Sequence, residues 1–135
     1  MSVTRSATGR AFAAFLPPDM TRPLVEEDLR AWMGGGQSAA DCHSRFEATI
    51  AEVRERGLAC AAGAAPSPIH QVAVNAFSAP ITDADGQMIM ALSLTSSAQR
   101  LPASWDGPVP RGLLVAAREI SARIASDLHP AGRPM

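Results

Sequence analysis

Two strand-like stretches that flank an Asp-rich turn constrain this sequence more than any other feature. VAVNAFSAPIT covers Val72–Thr82, QMIMALSLTSS covers Gln87–Ser97, and the tetrapeptide DADG separates them. Alternating runs joined by a short turn that ends in Gly are typical of a β-hairpin. The pattern therefore predicts an antiparallel strand pair in the second half of the chain.

Alternation divides this predicted hairpin into a bulky face and a small face, because successive strand side chains point to opposite sides. Even closure around residues 84 and 85 predicts three facing pairs: Ser93 with Ala76, Thr95 with Val74, and Ala91 with Ser78. The bulky face carries Asn75, Phe77, Ala79, Ile81, Met88, Met90, Leu92 and Leu94. The small face carries Val74, Ala76, Ser78, Ile89, Ala91, Ser93 and Thr95. We expect helices to pack on the bulky face.

Four helices and one further strand complete the predicted fold. The helices are expected at Ser6–Leu16, Asp19–Met33, Asp41–Arg56 and Pro110–Leu128, with Pro17 and Pro18 stopping the first and Gly57 capping the third. The segment LACAAG before the hairpin predicts a short strand, and GGGQS and AAPSP predict turns or loops. The fold class is α/β (α+β), and the length of 135 residues suits a single domain over 1–135.

Composition excludes several kinds of chemistry. All twelve basic residues are Arg, so a Schiff-base lysine and a P-loop lysine are impossible, and the absence of Tyr removes a tyrosine acid. The net charge of −1 provides no broad basic surface, so this chain alone is not expected to bind DNA. No signal-peptide or membrane-spanning pattern is present, which predicts a cytoplasmic protein with Cys42 and Cys60 as free thiols. We expect no metal and no cofactor.

The small face has two interpretations. Small side chains allow a helix to pack very closely, and they also leave room for a ligand beside a few hydroxyl groups. The first turn of the first helix, Ser6–Gly9, favours the second interpretation. Its side chains are small, and the unpaired N–H groups of a helix start attract a carboxylate.

Four segments resemble the IclR-type transcriptional regulators. SVTRSATGRAFAAFLPPD is similar to the family's P-[LM]-H-A-[TS]-A-x-G-K-A-x-L-A-x-L-P, and IAEVRERGLACA to L-x-x-V-R-x-x-G-Y-A. AVNAFSAPITDADGQMIMALSLTSSAQR resembles I-A-A-P-V-F-D-x-x-G-x-x-x-A-A-L-S-V-x-G-P-x-x-R, and AAREISARI resembles the family's closing helix. The four matches keep the family's order and cover nearly the whole chain.

This resemblance implies a GAF-like effector-binding domain, an antiparallel sheet flanked by helices, without the family's helix-turn-helix and first strands. Such a domain senses a small organic acid and is not an enzyme. The family's ligand contacts imply Ala7, Thr8, Ala76, Ser93 and Thr95, and the small face and first turn add Ser6, Gly9, Ser78 and Ala91. Expected partners are the acid effector and a second copy or a full-length relative, because a sheet that lacks strands exposes an edge.

Two other functions stay open. The chain could be a dimerisation module without a ligand. It could also be a small enzyme in which Cys60 acts with His70, or Ser93 acts with His70 and an Asp. No nucleophile-elbow or acyl-transfer signature surrounds either residue.

Overall fold

The computed structural model describes residues 3–32, 39–64 and 73–128, which form four helices and one antiparallel sheet. The elements in chain order are α1 (Ala7–Phe15), α2 (Pro18–Trp32), α3 (Ala39–Arg56), β1 (Ala59–Ala64), β2 (Val74–Thr82), β3 (Met88–Ser97) and α4 (Pro108–Leu128). The predicted helices and strands are therefore confirmed with small shifts of their ends. The predicted turn GGGQS, most of the AAPSP loop and His70 lie outside the described residues.

Local signals explain where the helices begin and end. Ser6 caps α1 because its hydroxyl accepts from the Gly9 N–H, and Pro18 begins α2, where its missing N–H costs nothing. Gly57 ends α3 at φ +83°, and its N–H donates to the Val53 carbonyl at 2.8 Å. This is the left-handed cap that the sequence predicts, a backbone conformation that glycine adopts without strain.

The sheet has the order β1-β2-β3, and both neighbouring pairs are antiparallel. Helix α1 packs on the small face of the sheet, and α4 packs on the bulky face. The bulky-face core contains Phe77, Ala79 and Ile81 of β2 against Ala117 of α4. The small-face core joins the alanines of α1 to Phe46, Ile50 and Val53 of α3. Helices thus cover both faces, as the resemblance implies.

The hairpin register differs by two residues from the predicted one. Ser93 pairs with Ser78, and Thr95 pairs with Ala76. The turn uses a longer loop in which the Asp83 N–H donates to the Gln87 carbonyl and Gly86 lies at φ +79°. A bulge between Met88 and Met90 adds a further residue to β3.

This correction leaves most side chains on their predicted faces, because a shift of two preserves alternation. Met88 is the exception, since it lies on the turn side of the bulge. The prediction that Met88 belongs to the bulky face was wrong: its side chain, 6% exposed, packs in the small-face core with α1.

Among the described residues, no helix has the length and apolar composition of a membrane-spanning segment.

Candidate functional site

The first turn of α1 lies on the small face of the sheet. Ala7 and Gly9 are buried, and Thr8 is half-buried between α1 and β3. The Gly9 N–H donates to the Ser6 hydroxyl at 2.9 Å, and the Arg10 N–H donates to the Ser6 carbonyl at 3.0 Å. No described residue accepts from the N–H groups of Ala7 and Thr8. An acceptor for these two N–H groups must therefore come from outside the described residues.

Three hydroxyl groups connect this turn to the sheet. Thr8 Oγ1 and Ser93 Oγ lie 2.6 Å apart, and Ser93 Oγ donates to Ser78 Oγ at 2.8 Å. Ser78 is fully buried, whereas Ser93 is exposed. The contacts therefore run from a buried strand residue to a surface position beside the helix start. The sequence placed these residues on one face, but the corrected register brings Ser93 directly opposite Ser78.

The small alanines of this face lie partly beneath α1. Ala76 and Ala91 are half-buried and pack against the core that contains Ala7 and Ala11. Close helix packing, the simpler interpretation of the small residues, thus accounts for much of their surface. Thr95 is exposed and pairs with Ala76. The open part of the face is the strip of β3 at Ser93 and Thr95.

Arg10 does not point toward this open strip. Its Nε donates to the Thr4 carbonyl at 2.9 Å, and its Nη1 donates to the Cys60 carbonyl at 2.8 Å. Burial lowers the pKa of the Arg10 guanidinium, and the neighbouring Arg5 charge lowers it further. Arg10 thus joins α1 to β1, a role that only the three-dimensional fold reveals.

Cys60 has the properties of a structural thiol. It lies on β1 and is buried, and this burial raises the pKa of its thiol despite the nearby Arg10 charge. A nucleophilic cysteine needs the opposite shift, because the thiolate is the reactive form. His70, the partner considered for a catalytic pair, lies outside the described residues.

The sequence missed Asn75 as a structural polar residue. Its side chain is 6% exposed, accepts from the Gly63 N–H at 2.8 Å and donates to the Leu101 carbonyl at 2.7 Å. A polar residue among bulky apolar neighbours was the available signal. Trp105 packs edge-to-face on Phe77, with ring centroids 6.5 Å apart, and Arg56 lies over its ring. These contacts make Trp105 a packing residue.

Larger hollows lie elsewhere on the molecule. One of about 290 Å³ opens between α1, α2 and α3, with Val25, Phe46 and Ile50 in its wall and His43 and Glu47 among its polar residues. None of the residues predicted to bind the effector lines this hollow. The open strip on β3 is an exposed surface, so its candidacy depends on the neighbouring N–H donors and hydroxyls rather than on enclosed volume.

Comparison with known proteins gives matches among solved structures. No protein-family model and no curated protein matches the chain. HmgR of Pseudomonas aeruginosa matches with a TM-score of 0.71 and 32% identity, over 94% of this chain and 46% of HmgR. A protein of Silicibacter sp. TM1040 assigned as an IclR transcriptional regulator matches with a TM-score of 0.65 and 26% identity, over 93% and 46% of the two chains.

A third structure shares the fold at lower identity. It is a double mutant of the PobR inducer-binding domain of Acinetobacter in complex with 3-hydroxy benzoic acid. The match has a TM-score of 0.63 and 22% identity, over 88% of this chain and 66% of that one. The neighbours are transcriptional regulators, and this chain spans a little under half the length of the first two, at 46% of each.

Proposed function

This chain is related to the IclR-family transcriptional regulators and corresponds to their effector-binding domain, and from this premise we propose that it binds a small organic acid as an effector. In this proposal it is a cytoplasmic sensing domain without catalytic activity or a cofactor. It does not contact DNA itself. The proposal covers this domain alone, because the chain spans 46% of the first two regulators that it matches.

The observation that carries the proposal is the position of the α1 start above the hydroxyls of the sheet. The Ala7 and Thr8 N–H groups have no acceptor among the described residues, and they lie at the positive end of the helix dipole. The Thr8 and Ser93 hydroxyls, 2.6 Å apart, lie beside them. The two backbone N–H groups are the donors for a carboxylate, and the hydroxyls, which donate from Thr8 to Ser93 and from Ser93 to Ser78, line its surroundings.

We place the carboxylate of the effector at these first-turn donors and its body over β3. Gly9 contributes shape more than hydrogen bonding, because Ser6 already accepts from its N–H at 2.9 Å. The body of the acid would lie along Ser93 and Thr95 and reach the outer parts of Ala76 and Ala91. The aromatic acid bound to the PobR domain, which shares this fold, supports the choice of ligand class.

The energetics favour weak binding. A partly shielded helix start stabilises an anion by up to about 2 kcal/mol, and each hydrogen bond adds about 1 kcal/mol. Association itself costs at least several kcal/mol, and an exposed strip excludes little water. We therefore expect dissociation constants in the roughly micromolar to millimolar range.

Calorimetry against keto acids and aromatic acids tests the proposal. For any acid that binds, Ser93→Ala should weaken binding modestly, by about fivefold, because Thr8 loses the hydroxyl that holds it beside the first turn. Thr95→Leu should abolish binding, because added bulk fills the open strip at an exposed position. Ser104→Ala, at another exposed serine, is the matched control and should bind as the parent does. If Thr95→Leu and the control bind the acid equally well, the effector does not bind at this strip.

The edge of β3 favours a second candidate function, association with another chain. Within the described sheet, β3 pairs only with β2, and Ile89 and Met90 are 45% and 48% exposed. An exposed strand edge with apolar side chains favours pairing with another strand. A dimerisation role is compatible with effector binding, and light scattering separates a self-associating chain from a monomer.

A further inference from the structure

A second hollow, of about 210 Å³, lies where the start of α1 meets the end of α2 and the first half of α3. Arg5, Arg10 and Arg45 are among its lining residues, and no Asp or Glu lines it. It shares no residue with the proposed effector site. Its size is below that of a typical small-molecule pocket, so it suits a compact charged group rather than a large ligand.

Arg10 supplies a cation that the fold holds in place. Two of its N–H groups are bonded to the backbone carbonyls of Thr4 and Cys60, which are dipoles without net charge. No described carboxylate forms an ion pair with it. Because folding has already ordered this long side chain, an anion that binds it avoids most of the usual entropy cost.

Arg45 faces the same hollow from α3. It is exposed and forms no ion pair with a described residue. Asp28 accepts from the Thr4 N–H, and Asp41 precedes the lining residue Cys42. Glu52 lies in an adjoining hollow that Arg10 and Thr49 also line. Asp28, Asp41 and Arg5 each have a further interaction of their own, so the argument depends on Arg10 and Arg45.

We infer that this hollow binds a phosphate dianion, either free phosphate or the head of a small phosphate monoester. Guanidinium groups present paired N–H donors that match phosphate oxygens. A phosphate group near pH 7 carries a charge of about −1.5 to −2 and three acceptor oxygens, enough for two arginines at once. A carboxylate has one charge and two oxygens, and it would leave one of these cations uncompensated.

Titration with inorganic phosphate and with glycerol 3-phosphate, at constant ionic strength set with chloride, tests the inference. Calorimetry should detect saturable binding to the parent protein. Arg45→Gln should weaken it about tenfold, because a charge-assisted hydrogen bond is lost at an exposed position. Arg118→Gln, at an exposed arginine on α4, is the matched control and should leave binding unchanged.

Arg10→Gln should also weaken binding, but it removes two bonds within the fold, so Arg45→Gln is the deciding variant. Tighter binding of glycerol 3-phosphate than of phosphate would assign the site to an ester, and the reverse would assign it to the free ion. No saturable binding of either, or equal weakening by Arg45→Gln and Arg118→Gln, would overturn the inference. Ser93→Ala should not change phosphate affinity, which separates this site from the proposed effector site.

Discussion

Replacing Asn75 by Ala should destabilise the fold more than any other polar substitution on the sheet. The side chain of Asn75 joins the bulged end of β1 to the segment after β3, through the Gly63 N–H and the Leu101 carbonyl. Each of these hydrogen bonds contributes about 1 kcal/mol. Leu101 is only 2% exposed, so its carbonyl would stay buried without a partner at a cost of roughly 1–3 kcal/mol. Gly63 is exposed, and water can replace its lost acceptor.

The expected loss is therefore about 2–4 kcal/mol, a large part of the stability of a small domain. Urea unfolding followed by circular dichroism measures this loss of stability. An unchanged dependence of the unfolding free energy on urea concentration would show that parent and variant unfold in the same way. Gln99→Ala, at an exposed amide two residues before Leu101, is the matched control and should change stability by less than about 0.5 kcal/mol. If both variants lose the same small amount, Asn75 does not make these buried hydrogen bonds.

Backbone conformation, thiol burial and the exposed sheet edge lead to further expected outcomes. Gly57→Ala should destabilise the fold by about 1 kcal/mol, because position 57 has a φ of +83°. Gly112→Ala lies in open space on α4 and should stabilise the fold by about 0.5–1 kcal/mol. Chemical unfolding of the two variants compares these effects. Cys60 should react with a thiol reagent more slowly than the half-buried Cys42, as mass mapping would show. Burial raises the pKa of Cys60 in the folded protein above its ordinary value of 9.0. The stability that the neutral thiol contributes is therefore fully present below pH 9 and is lost as the pH rises above it. Cys60→Ala should show a smaller loss of stability over the same rise in pH. Light scattering should show concentration-dependent association through β3, and a monomer at all concentrations would contradict the edge argument.

The sequence predicted the elements and the two faces of the sheet because alternation and helix periodicity are local properties. Val74–Thr82 and Met88–Ser97 were recognisable from side-chain order alone. The register was not, because it depends on the conformation of the turn and on a bulge that no local pattern marks. Met88 changed faces for this reason, and Ser93 came to lie opposite Ser78.

The candidate site could be predicted in part. The small face and the helix start were both recognisable from residue size, and the structure brings Thr8 to 2.6 Å from Ser93. Two other features needed the tertiary fold. Whether α1 covers Ala76 and Ala91 depends on the approach of a helix to a sheet, and the bond of Arg10 to Cys60 joins residues fifty positions apart.

The most direct test of the central claim is an NMR titration of the amide-labelled protein with 3-hydroxybenzoate and with a small keto acid. Our account predicts saturable shifts for at least one acid, with the largest changes at Ala7, Thr8, Ser93 and Thr95. The amides of α4 should change little. If no acid causes saturable shifts, or if the largest changes lie in the hollow of about 290 Å³ around Val25 and Ile50, effector binding at the start of α1 is contradicted.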